Sequence, residues 1–123
     1  MDLNLVIQKH AQWKYKFISN LKLLELGETI EPMDVASISK DNCCEFGQWL
    51  YGEAKVAFKK FPAYDACLAA HTEFHREAGK VAKAINEKNS AEAERLIGHN
   101  TPFTETSKKV GVAIIELKNL MRA

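Results

Sequence analysis

Ala70-His71-Thr72-Glu73-Phe74-His75-Arg76-Glu77 sets two histidines four residues apart inside a run with helical periodicity. Positions i and i+4 of a helix lie on one face, one turn apart. Around them Tyr64, Cys67, Leu68, His71, Phe74, His75, Ala78, Ala82 and Ile85 recur at helical spacing,. The two imidazoles therefore fall on the core-facing stripe of an amphipathic helix. A buried histidine needs hydrogen-bond partners or a metal ion. Taken alone, the pair fits either a metal site or two satisfied core histidines.

Working outward from this helix, residues 62–88 are predicted as one long element, with Pro62 suited to its first turn,. N-terminal to it, residues 2–26 predict another. There Leu3, Val6, His10, Trp13, Phe17, Leu21 and Leu24 form the apolar stripe, and Gly27 is a natural C-cap,. His10 thus joins a buried stripe as well. Residues 27–42 are irregular, with Pro32 to Ile38 expected to form short turns. Residues 43–52 predict a short helix capped by Asp41 or Asn42 and ended by Gly52,. That places Cys43 and Cys44 in its first turn, where free N–H groups and the helix dipole favour a thiolate. Residues 53–61 predict a second short piece.

C-terminal to the histidine helix, Asn86 to Asn89 mark a turn, and Ser90 is expected to cap a helix running to about Met121,. Its stripe is Ala93, Leu96, Ile97, Phe103, Ser107, Val110, Ile114, Leu117 and Met121, Ser107 being the one polar member. Gly98 and Pro102 lie inside it and predict a kink. No strand alternation, repeat or low-complexity segment is present. The expected fold is all-α: a four-helix bundle with one helix broken into short segments, residues 1–123 forming a single domain.

Composition narrows the function classes. Seventeen basic against sixteen acidic residues give a net charge of +1, which argues against a nucleic-acid or anionic-membrane surface,. No apolar run approaches about 18 residues, so no membrane span is expected, and the N-terminus lacks the pattern of a signal peptide. Three cysteines, two of them adjacent, make a poor disulfide framework and suit a reducing, cytoplasmic location,.

Packing the predicted stripes together would gather His10, His71, His75 and a cysteine of the short helix. Three imidazoles and one thiolate make the closed, four-coordinate donor set that zinc prefers over magnesium or calcium. Spacing does not choose between Cys43 and Cys44. The runs His10-Ala-Gln-Trp13-Lys14, Cys44-Glu-Phe46-Gly47-Gln-Trp49-Leu50-Tyr51 and His71-Thr-Glu-Phe74-His75 resemble the chemoreceptor zinc-binding domain, CZB, in content, order and overall length. The likeness extends from about Asp2 to Ile85, and the Cys-x-Phe-Gly-x-Trp run is its most specific part.

The resemblance implies that zinc is held by His10, Cys44, His71 and His75, with Cys43 a bystander. It implies a bacterial, cytoplasmic sensory domain that forms symmetric helical dimers. Such domains are attached to chemoreceptor signalling regions or diguanylate cyclases, whose output follows metal occupancy and, in some members, oxidation of the cysteine. No output region lies within these 123 residues, so the chain is either an excised sensor domain or a free-standing member. A closed donor set leaves no vacant position for substrate water, and an enzyme is not expected.

Carboxylates near in sequence, Glu45, Glu73 and Glu77, are expected to orient the imidazoles. Trp13, Phe46, Trp49 and Phe74 read as core packing, Cys67 as simply buried, and His99 as a surface or partly buried residue and not a fifth ligand. Two alternatives remain. A haemerythrin-like di-iron bundle would need bridging carboxylates on the buried stripes near the histidines, and none is predicted there. A structural dimerisation module stapled by zinc would need none.

Overall fold

The computed structural model describes residues 1–122 and consists of helices joined by short connections. They are α1 (Leu3–Glu25), α2 (Val35–Ile38), α3 (Glu45–Tyr51), α4 (Glu53–Phe58), α5 (Pro62–Asn86), α6 (Ser90–Ile97) and α7 (Pro102–Met121). No strand occurs among the described residues. The all-α bundle expected from periodicity is the architecture observed. α5 is its centre: it packs most extensively on α7 and also meets α1, α2, α4 and α6.

The local signals explain the long helices. Asp2 caps α1 by accepting from the Leu5 N–H. At the other end Gly27 adopts φ +80° one residue past the C-cap, Leu26. Its N–H donates to Leu24 O and that of Glu28 to Leu23 O, the paired bonds of a left-handed helix stop,. α5 ends in the same way with Lys88 at φ 59°. Asn86 then clasps the irregular segment, accepting from Met33 N–H at 2.9 Å and donating to Met33 O at 2.7 Å.

Three expectations are corrected. The fourth long helix is broken, not kinked. Pro102 has no N–H to give to Gly98 O, and its ring would crowd that carbonyl in a continuous helix. Instead the Thr101 and Thr104 hydroxyls donate to Gly98 O at 2.9 and 2.8 Å, and Thr101 caps a new helix. The cap of α6 is Asn89, which accepts from Glu92 N–H, and Ser90 is already helical. On α7 the buried polar residues are Thr104 and Thr106; Ser107 is half-buried and Met121 exposed.

The core is continuous from α1 to α7. Phe17, Leu50, Phe74, Val81, Ile85, Phe103, Ile114 and Leu117 are buried within it. Phe17 and Phe74 both meet Phe103, at ring-centroid distances of 5.7 Å. Burying side chains of this size contributes about 1.5–3 kcal/mol each. Against this apolar mass, one corner between α1, α3 and α5 is polar.

Candidate metal centre

The polar corner is built from three segments. His10 projects from the buried face of α1, His71 and His75 from that of α5, and Cys44 from the residue preceding α3. Here the sequence reading needs correction. α3 begins at Glu45, so Cys44 is itself the cap, in extended conformation, and Cys43 lies outside the helix and exposed. Asp41 and Asn42 do not cap it. The Cys44 Sγ accepts from the Gly47 N–H at 3.3 Å.

The ring Nε2 atoms of the three histidines and this sulfur converge. His71 Nε2 lies 3.1 Å from His10 Nε2 and 3.0 Å from His75 Nε2. The sulfur lies 3.4 Å from His71 Nε2 and 3.6 Å from His75 Nε2. All four donor atoms fall within 4.8 Å of one another. With Zn–N bonds of about 2.0 Å and a Zn–S bond of about 2.3 Å, tetrahedral edges come to about 3.3 Å between nitrogens and about 3.5 Å from nitrogen to sulfur. Four of the six separations match that scale.

The hydrogen bonds behind the rings bear on what the centre can accept. His10 Nδ1–H donates to Val6 O at 2.8 Å, one turn earlier on α1. His75 Nδ1–H donates to Ile38 O at 2.9 Å, at the end of α2. Assigning the proton to Nδ1 in both leaves both Nε2 atoms as lone pairs. His71 Nδ1 is buried without a partner. If His71 carries its proton on Nε2, it can serve only one facing nitrogen. If it carries it on Nδ1, that N–H is orphaned and three lone pairs confront each other. A cation at the centre accepts every one of them, so the donor set fits a metal ion of the zinc type.

The orienting groups are thus backbone carbonyls, not the carboxylates expected. Glu45 is exposed, and Glu77, although buried, pairs with Lys80 at 3.0 Å. Glu77 also corrects the expectation that α5 buries no acid. It does not join the cluster, which contains no carboxylate at all.

Burial sets the protonation of the four side chains. Desolvation holds the His10, His71 and His75 rings below their ordinary value of 6.5. His71 falls to about 2, with the neighbouring His75 and His10 rings adding to the effect. All three are neutral at pH 7, the form that can ligate. Burial pushes the Cys44 thiol up, more than the N–H groups of Gly47 and Phe46 pull it down. The helix terminus alone therefore does not make the thiolate expected from sequence, and a cation facing the sulfur would have to supply the difference.

Close packing holds the Cys44 segment in place. A Cβ on Gly47 would lie 1.6 Å from Asp41 O, so only glycine lets α3 rest against the 41–42 backbone. A Cβ on Gly79 would lie 2.0 Å from Ser39 Oγ, beside the residue whose carbonyl holds His75. Asp41 accepts hydroxyl hydrogen bonds from Tyr51 on α3 and from Thr72 on α5, the latter at 2.6 Å. Phe46 stands edge-on to His71 and His10, at 5.0 and 5.8 Å between centroids. Phe46 and Phe74 are buried core residues, as expected; Trp13 and Trp49 are only half-buried. Cys67 is buried, and His99 is exposed, away from the cluster.

Sequence reasoning passed over Gly79 and the Ile38 carbonyl, and gave Asp41 the role of a helix cap instead of an acceptor between α3 and α5. A glycine inside a helix, one turn after His75, was the available signal, since it destabilises a helix by about 1 kcal/mol relative to alanine. The carbonyl leaves no trace in residue type.

A family model described as the chemoreceptor zinc-binding domain matches residues 10–82, more than half of the chain and the stretch that carries all four converging side chains. No curated protein and no solved structure matches it. No helix among the described residues is long and apolar enough to cross a membrane.

Proposed function

Because the chain belongs to the chemoreceptor zinc-binding domain family, we propose that His10, Cys44, His71 and His75 hold one zinc ion and that the bundle is the regulatory domain of a bacterial signalling protein. Residues 1–123 act as one such domain, in the cytoplasm, as a symmetric dimer attached to or associated with a chemoreceptor or diguanylate cyclase output region. The observation that carries this reading is the convergence of three Nε2 atoms and one Sγ within 4.8 Å, with two of the rings fixed by backbone carbonyls. Bound zinc supplies a crosslink between α1, the α3 cap and α5, and a charge that stabilises the Cys44 thiolate.

The rest of the device belongs to the chain. His10 ties α1 to the centre, and His71 and His75 tie α5. Cys44 hangs on the 39–44 segment, which α2 and Asp41 strap over the site. Without a cation, three imidazoles face one another in a largely buried corner, and the Cys44 segment is held only by the Gly47 and Gly79 packing and the Asp41 hydrogen bonds. Two packings of the same helices then differ in free energy by an amount that metal occupancy sets. Attack of the Cys44 thiolate on the O–O bond of a peroxide forms a sulfenic acid and expels water or an alcohol; the sulfenic acid is a poorer ligand and shifts the packing in the direction of zinc loss. Four protein donors leave no open position for a substrate, which supports a regulatory role over catalysis. The absence of a carboxylate from the cluster disfavours the di-iron alternative,.

Elemental analysis of protein prepared without added metal tests the reading, with one zinc per chain expected. Titration against a chelating dye then separates the cysteines. Cys44→Ala should weaken zinc binding by more than the roughly 10–100-fold that loss of an outer-shell partner costs, while Cys43→Ala leaves it unchanged. Equal affinities would remove Cys44 from the centre, and two irons per chain would replace the proposal with the di-iron one.

A further inference from the structure

The four converging side chains are unequally enclosed. His71 is wholly buried beneath Phe46, and His75 is covered by the end of α2, whose Ile38 carbonyl takes its Nδ1–H. Cys44, by contrast, is the one of the four that is only half-buried. Together with His10 it lines a cleft of about 520 Å³ between the first turns of α1 and the start of α3. The walls are the apolar Val6, Trp13 and Phe46, and the exposed Leu5 stands at the mouth. Lys9 lines it as well, together with the two acids Asp2 and Glu45.

We propose that this cleft is the access route to the centre. Small molecules that carry a metal-binding or thiol-reactive head reach the Cys44–His10 edge through it, and metal enters and leaves by the same path. Its volume suits an occupant of small-molecule size, with an apolar body against Trp13 and Phe46 and a polar head toward the sulfur. The opposite approach, past His71, would require the Phe46 and Phe74 packing to open. Release therefore begins at Cys44, which sits on a short connection, and not at the α5 histidines, which sit inside a 25-residue helix.

The metal limb of this inference rests on the zinc reading above; the thiol limb does not. Leu5→Trp narrows the mouth and Leu5→Ala widens it, without touching any of the four converging residues. Val112→Trp, on an α7 residue that is 57% exposed and does not line the cleft, is the control. Two rates are read on the full chain. One is transfer of zinc from loaded protein to a chelating dye. The other is alkylation of Cys44 by iodoacetamide in metal-free protein carrying Cys43→Ser, followed by mass spectrometry.

Leu5→Trp should slow both rates several-fold and Leu5→Ala should not slow either, with zinc stoichiometry and the Val112→Trp rates as in the parent. Lys9→Trp gives a second filling of the same cleft should Leu5→Trp disturb α1. Rates indifferent to both fillings would overturn the route. A parent chain that binds no zinc yet shows slowed alkylation in Leu5→Trp would overturn the zinc reading and leave the cleft as the path to Cys44.

Discussion

The α5–α7 interface and the α1–α3–α5 corner differ in depth and in the forces that hold them, Cys44 of the corner being only half-buried. Between α5 and α7 the contacts come from Phe74, Val81, Phe103, Val110, Ile114 and Leu117, all at most 1% exposed and without a polar atom. That interface is stable by burial alone. At the corner, His71 is equally buried, but its neighbours are His10, His75 and Cys44, and its Nδ1 has no partner. The corner is a place where burial by itself destabilises, and where a bound cation changes the balance. A bundle with one self-sufficient interface and one conditional interface can respond to metal without unfolding.

The largest expected effect that sharpens this contrast is acid. Desolvation holds all three rings below 6.5, so the unfolded chain takes up protons that the fold refuses. Metal-free protein keeps this contribution above pH 6.5 and loses it as the pH falls below. Each group that titrates in this way costs about 1.4 kcal/mol per pH unit. Thermal melts of metal-free protein should therefore drop progressively as the pH falls below about 6.5, the His71 share of the loss continuing toward its folded value of about 2,. A melting temperature that holds constant over that fall would mean that the corner is not dry.

Next in size is Ile114→Ala on α7. It empties a site that is 0% exposed and should cost about 2–5 kcal/mol,. Denaturant titration should return the same loss with and without zinc, because the residue lies in the self-sufficient interface. A loss that zinc largely rescues would break the distinction between the two regions.

Gly47→Ala acts on the conditional region. The new Cβ would meet the Asp41 carbonyl at 1.6 Å, a backbone atom that has no rotamer to escape into. A stability loss of about 1–3 kcal/mol is expected, as for other overpacked sites, together with weaker zinc binding because Cys44 moves with the strap. Hydrogen exchange should show the added opening in residues 39–52 and not in α7.

The smallest effect has the opposite sign. A Cβ on Gly111 would meet nothing within 4 Å, and the residue sits in the middle of α7. Gly111→Ala should stabilise the chain by about 0.5–1 kcal/mol and leave zinc affinity untouched. A change in zinc affinity there would show that the two regions are coupled more strongly than their contacts indicate.

Residue type and spacing alone determined the long helices up to Asn86, most of their core faces and the gathering of His10, His71 and His75, but not the break before Pro102, because helical periodicity places side chains on faces and apolar faces must meet. The choice of Cys44 over Cys43 came from motif likeness, and the structure places Cys44 beside the rings and Cys43 in solvent. The folded backbone decided the rest: that Cys44 is a cap and not a helical residue, that the Ile38 carbonyl aims the His75 ring, that the 39–42 backbone rests against Gly47 and Gly79, and that His71 lacks a partner behind its ring. Those features depend on backbone atoms, which every residue carries alike, and on distances between segments far apart in the chain. Neither is written in the identity of any one amino acid.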